Sequence, residues 1–121
     1  MSMSLRTAAE ASHGRVVEPW GSLCWLASAD LGNAQGVTVG RVTIEAGKSN
    51  PRHSHTSCEE VLYLLRGTLE HTVGEQVVTL EAGDTLVVGA GVAHNATNVG
   101  EEQADMMVVY SSGRRDFVPE P

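Results

Sequence analysis

Cysteine is scarce. Cys24 and Cys58 are the only two in a chain of 121 residues, and they do not form a CxxC pair. This excludes a disulfide framework and a thiolate zinc finger. Cations are also short, with 8 lysines and arginines against 15 aspartates and glutamates, a net charge of −7. A surface of that sign repels phosphate backbones, so neither nucleic acid nor an anionic membrane is expected as a partner. A small anion remains acceptable, because a buried metal or one arginine can dominate locally. No run approaches the ~20 apolar residues of a membrane-spanning helix. The opening MSMSLRTAAEASHG has no apolar stretch of signal-peptide length, and the expected location is the cytoplasm. Sustained helical periodicity is missing too. The best segment, LRTAAEA at 5–11, is short and has no strong caps.

What is present points to one all-β domain, a sandwich or barrel. Short runs rich in Val, Thr, Leu and Ile recur at 37–45, 60–66, 68–73, 76–80, 85–89 and 104–111, separated by glycine-bearing breaks. The spacing of roughly ten residues is that of antiparallel strands joined by turns. Gly74 and Glu75 fit a tight hairpin with glycine at the position that needs a positive φ. Residues 1–14 read as a flexible N-terminal arm, 15–112 as the barrel domain and 113–121 as a polar, mobile tail. In 60-EVLYLLR-66 both alternating sets are apolar, so both faces of that strand need cover. One face belongs to the barrel interior. The other predicts a partner subunit, and a homodimer is expected.

The segment 51-PRHSHTSCEE-60 carries the chemistry. Residues two apart in a strand share a face, so His53 and His55 point the same way. Pro51 suits the start of such a strand. Glu60 lies an odd number of residues beyond His55, so 56–58 must turn or bulge for its carboxylate to open the next strand beside the histidines. Leu62 and Leu64 would then share the face of Glu60. His94 follows in the glycine-rich turn 89-GAGVAHNATN-98. Three imidazoles and one carboxylate suit a first-row divalent ion such as Mn, Fe, Co, Ni, Cu or Zn. Grouped on one side of an octahedral ion, they would leave two neighbouring positions for a small bidentate molecule.

The spacing around these residues resembles the cupin family. The family's first motif is matched from Gly47 through His53, His55 and Glu60 to Gly67. The second is matched from Gly83 through Gly89, Gly91 and His94 to Asn98, with glycine at 89 where the pattern has proline. The departure predicts a less rigid turn before His94. The resemblance implies a double-stranded β-helix, or jelly-roll, barrel that holds one metal through His53, His55, Glu60 and His94. Of the adjacent Glu59 and Glu60, the six-residue step to Gly67 selects Glu60, which leaves Glu59 facing solvent or a ligand's outer contact.

A fold of this kind does not fix a reaction. Cupins with this ligand set include dioxygenases, isomerases, decarboxylases and storage proteins. The reading preferred here is a metal-dependent enzyme acting on a small oxygen-rich molecule, by dioxygenase-type or Lewis-acid isomerase or lyase chemistry. A metal-bearing binding module and a structural dimer are the alternatives. His71 and Glu59 are the two candidate acid–base residues, His71 being read mainly as a satisfied or rim histidine. His13 is expected in solvent and Cys58 in a turn. Trp25, Met106 and Met107 are expected to line the core or pocket, and Arg41 and Arg52 are the cations considered for a substrate anion.

Overall fold

The computed structural model describes residues 3–121. The strands are β1 (Val16–Glu18), β2 (Gly21–Ala27), β3 (Thr38–Ile44), β4 (His53–Ser54), β5 (Glu60–Arg66), β6 (Thr68–Val73), β7 (Gln76–Glu81), β8 (Thr85–Val88), β9 (His94–Asn98), β10 (Ala104–Tyr110) and β11 (Val118–Pro119). They form a six-stranded sheet, β1-β2-β3-β10-β5-β8, and a five-stranded sheet, β11-β4-β9-β6-β7. All the strand pairs are antiparallel. This is the all-β jelly-roll architecture expected from the sequence.

The core lies between the sheets because the apolar residues alternate. Val42 and Ile44 of β3, Leu62 and Leu64 of β5, and Met106 and Val108 of β10 are buried together with Leu69 and Leu80 from the other sheet. Glu60 is buried on the same face as Leu62 and Leu64, while Tyr63 and Leu65 remain exposed on the outer face. The β6–β7 hairpin turns at Gly74, where φ is +60°. A side chain would be strained in that left-handed conformation.

Two expectations for the ends of the domain need revision. The N-terminal arm contains a helix, α1 (Ala8–His13), and its start is capped. The Thr7 hydroxyl accepts from the Glu10 amide while the Glu10 carboxylate accepts from the Thr7 amide, a reciprocal capping box. The Arg6 Nε also donates to the Trp25 carbonyl at 3.2 Å. The tail is likewise held. β11 pairs with β4 through Val118 with Ser54 and Pro119 with His53. The Arg52 Nε–Glu120 pair, at 2.7 Å, secures it further. Strands β1 and β2 were not among the runs anticipated from the sequence. Together they extend the larger sheet at the edge beside β3.

Candidate metal centre

β4 lies in the five-stranded sheet, and His53 pairs in register with His94, the first residue of β9. His55 follows one residue beyond β4. The chain then crosses to the facing sheet, where Glu60 opens β5. The odd step between His55 and Glu60 is therefore resolved by a change of sheet, and the carboxylate meets the imidazoles across the barrel. One ligand atom from each of His53, His55, Glu60 and His94 falls in a group lying within 4.8 Å of one another, and all four residues are buried. The Glu60 Oε1 lies 3.2 Å from the His55 Nε2 and 3.1 Å from the His94 Nε2.

Each of the three imidazoles is oriented from behind. The His53 Nδ1 is 2.7 Å from the Pro51 carbonyl, the His55 Nδ1 2.6 Å from the Asp116 carbonyl and the His94 Nδ1 2.9 Å from the Val92 carbonyl. Carbonyls only accept, so each Nδ1 carries the hydrogen and each Nε2 keeps its lone pair for a metal. The His55 Nε2 is buried without a hydrogen-bond partner. An orphaned acceptor of that kind is costly unless something binds there, and the donor set of three nitrogens and one oxygen fits a first-row divalent ion.

The charges are consistent with that fit. Burial lowers the His53 pKa to about 4, keeping the ring neutral. Burial pushes the Glu60 carboxyl upward, but the adjacent His55 and His94 rings outweigh it and hold the group at about 2. A neutral imidazole and an ionised carboxylate are the ligating forms. His94 departs from this pattern: burial disfavours its charged ring, but the Glu60 carboxylate beside its Nε2 raises its pKa overall, a bias toward a positive charge that a cation in the site would replace.

His53, Glu60 and His94 line a cavity of about 360 Å³, whose apolar wall includes Leu23, Val42, Leu62, Met106 and Val108. Of Leu62 and Leu64, expected to share the face of Glu60, Leu62 lines the cavity, whereas Leu64 belongs to the packed core. His71 also lines the cavity, but it is neither satisfied nor at the rim. It is 2% exposed, both ring nitrogens lack a partner, and its ring stacks on that of His94 with centroids 5.9 Å apart. Glu59, the other acid–base candidate, is exposed and absent from the cavity wall. His13 is exposed, while Cys58 is buried outside the ligand group.

The two arginines considered for a substrate anion are both engaged elsewhere. Arg41 pairs with Asp105 on the outside, and Arg52 pairs with Glu120 and donates to the Thr72 hydroxyl and the Gly74 carbonyl. Met106 lines the cavity as expected. Sequence reasoning missed Tyr110, Arg115 and Phe117, which also line it. Phe117 stacks on His53, with ring centroids 4.5 Å apart and planes 22° from parallel. Asp116 holds the His-x-His loop, its carboxylate accepting from the amides and hydroxyls of Thr56 and Ser57. Those bonds, led by the Thr56 hydroxyl, hold its carboxyl well below the usual range.

Comparison with known proteins agrees with this architecture. The family model described as "Cupin domain" matches residues 40–110. Germin-like protein 3-8 of Oryza sativa is 34% identical over 85 residues, covering 66% of this chain and 38% of the relative. Oxalate oxidase GF-3.8 of Triticum aestivum is 30% identical over 88 residues, covering 66% and 39%. The chain thus spans under two fifths of the length of these curated relatives. Among solved structures, an oxalate oxidase matches with a TM-score of 0.75 at 27% identity, covering 84% of this chain and 56% of that one. Bacillus subtilis oxalate decarboxylase matches with a TM-score of 0.83 at 20% identity, covering 91% and 30%, a likeness of fold alone.

Proposed function

This chain belongs to the cupin domain family, and from that premise we propose that it is a metal-dependent enzyme acting on a small oxygen-rich molecule. The observation that carries the reading is the buried convergence of His53, His55, Glu60 and His94, three of which line the cavity. These four residues would hold a divalent first-row ion. When bound, the ion supplies Lewis acidity and, if redox-active, electron exchange with a substrate. The relatives named oxalate oxidase favour oxidative chemistry on a small acid over isomerisation.

The rest of the work falls to the chain's own side chains. Leu62, Met106 and Val108 exclude water from one wall of the cavity, which strengthens every electrostatic contact made there. His71 has two unpartnered nitrogens, so one can donate to a substrate oxygen while the other accepts a substrate proton. Burial lowers its pKa to about 4, leaving the ring neutral and able to play both parts at neutral pH. Tyr110 is buried next to Glu60, and burial together with that carboxylate's charge pushes its phenol far upward. It therefore serves as a hydroxyl and not as a phenolate.

The test begins with metal analysis of protein purified without chelator or affinity nickel. Diketones, enediols, 2-oxo acids and oxalate are then added to the loaded protein, and oxygen uptake, substrate loss and the metal's spectrum are followed. Turnover is expected to vanish in chelator-stripped protein and in Glu60→Ala, and to survive in Glu59→Ala. His71→Gln should lower kcat on the order of 10²-fold at unchanged metal content. Undiminished turnover without metal would overturn the mechanism. Binding without turnover across the whole panel would instead support a metal-bearing binding module.

A further inference from the structure

Arg115 is the one lysine or arginine among the residues lining the cavity. Its guanidinium carbon lies 4.3 Å from the ring centre of Trp25, 5.2 Å from that of Tyr110 and 5.8 Å from that of Phe117. Aromatic faces attract a guanidinium without consuming its N–H donors. Among the described residues, no carboxylate lies within ion-pairing distance of it, although Glu18 and Glu60 share the same cavity. The neighbouring Arg114, by contrast, is turned outward and pairs with Asp30. A guanidinium always carries its charge and presents a planar fork suited to a carboxylate. In a molecule with net charge −7, such a free cation at the cavity is an anion's point of entry.

Two of the three rings around Arg115 also touch the metal-side imidazoles. The Tyr110 ring centre is 4.9 Å from that of His55, and the Phe117 ring centre is 4.5 Å from that of His53. The guanidinium and the candidate metal-binding histidines are thus neighbours of the same two rings, Tyr110 and Phe117.

We infer that Arg115 is a specificity-determining residue that binds the carboxylate of a monoanionic substrate. The substrate's apolar body lies along the cavity wall, and an oxygen at its far end reaches the ligand cluster. This inference rests on the metal reading above. It differs from a preference for a two-carbon diacid, which has no apolar body to lie along the cavity wall.

The test uses full-length protein loaded with cobalt(II), whose visible spectrum reports on ligands at the metal. The probes are 4-oxopentanoate, its primary amide and oxalate. Metal content is measured first and separately, and protein that takes up no cobalt would overturn the metal reading and this inference with it. In the loaded wild type, 4-oxopentanoate should perturb the spectrum at a concentration at least tenfold below that needed for its amide. Arg115→Gln should erase that preference with cobalt content unchanged, and Arg115→Lys should restore part of it. An unfolding midpoint measured for each variant separates lost recognition from lost folding. Equal affinity for acid and amide in the wild type, or a preference that persists in Arg115→Gln, would overturn the inference while leaving the metal centre standing. Tighter binding of oxalate than of 4-oxopentanoate would overturn the assigned substrate class.

Discussion

Asn98 shows how a motif position can be read correctly and its purpose missed. The spacing marked it as the end of the second motif, but its partners lie on other segments. Its Nδ2 donates to the Ile44 and Glu102 carbonyls, both at 2.8 Å, and its Oδ1 accepts from the Gly100 amide at 2.9 Å. Fully buried, it ties β9 to β3 and to the turn before β10. Asn98→Ala would leave two carbonyls and an amide without these partners, and should cost about 2–3 kcal/mol, read as a lower urea midpoint. The cluster of His53, His55, Glu60 and His94 could be picked out at this scale because period-two spacing and donor chemistry are local. His71 was only half legible, since alternation placed it on the inward face but could not show that no acceptor awaited it there.

Two buried imidazoles set a pH dependence. In the folded protein His53 and His71 have pKa values of about 4, below the ~6.5 of an unfolded chain. Between those values the unfolded state binds protons that the folded state refuses, so stability must fall as the pH drops from about 6.5 to 4. For metal-free protein these two groups together should lose on the order of 4 kcal/mol between pH 7 and 5, part of it offset by His94, whose pKa is shifted the other way; urea unfolding measures the sum. Replacing His71 with Leu should flatten part of that slope. An unchanged slope would mean that His71 is not held neutral by burial.

At the scale of elements, β5 was legible and the segment after residue 112 was not. The strand announces itself by seven residues of β-forming character, whereas β11 has only two. The polarity that made the tail look solvated is used in holding a loop, with Asp116 bound to Thr56 and Ser57 and its carbonyl facing His55. Pairing between distant segments of this kind leaves no periodic trace. Deleting residues 113–121 removes no metal ligand, yet should lower metal affinity by about 10–100-fold, measured by competition with a chromophoric chelator. Affinity equal to that of the full chain would show that His55 is oriented without the Asp116 carbonyl.

For the whole molecule, the outer face of the larger sheet governs the expected assembly. Tyr63, Leu65, Val87 and Val109 are exposed there on neighbouring strands, with Val109 opposite Val61 and Val61 opposite Val87. A contiguous apolar face of that kind is normally covered, and it underlies the expected homodimer. Size-exclusion chromatography with light scattering should give twice the chain mass at micromolar concentration, and Tyr63→Glu should give the monomer.

The carbonyl behind His55 has one more consequence, in the order in which the molecule is made. His53 and His94 rest on carbonyls two residues before them, but His55 rests on one 61 residues later. Synthesis runs from the N-terminus, so all four ligands exist before Asp116 has been added. A growing chain that has passed His94 but not Asp116 holds the donor atoms without the brace that aims one of them. Chains of that length, once released from the ribosome, should yield any bound ion to a mild chelator that the finished protein resists.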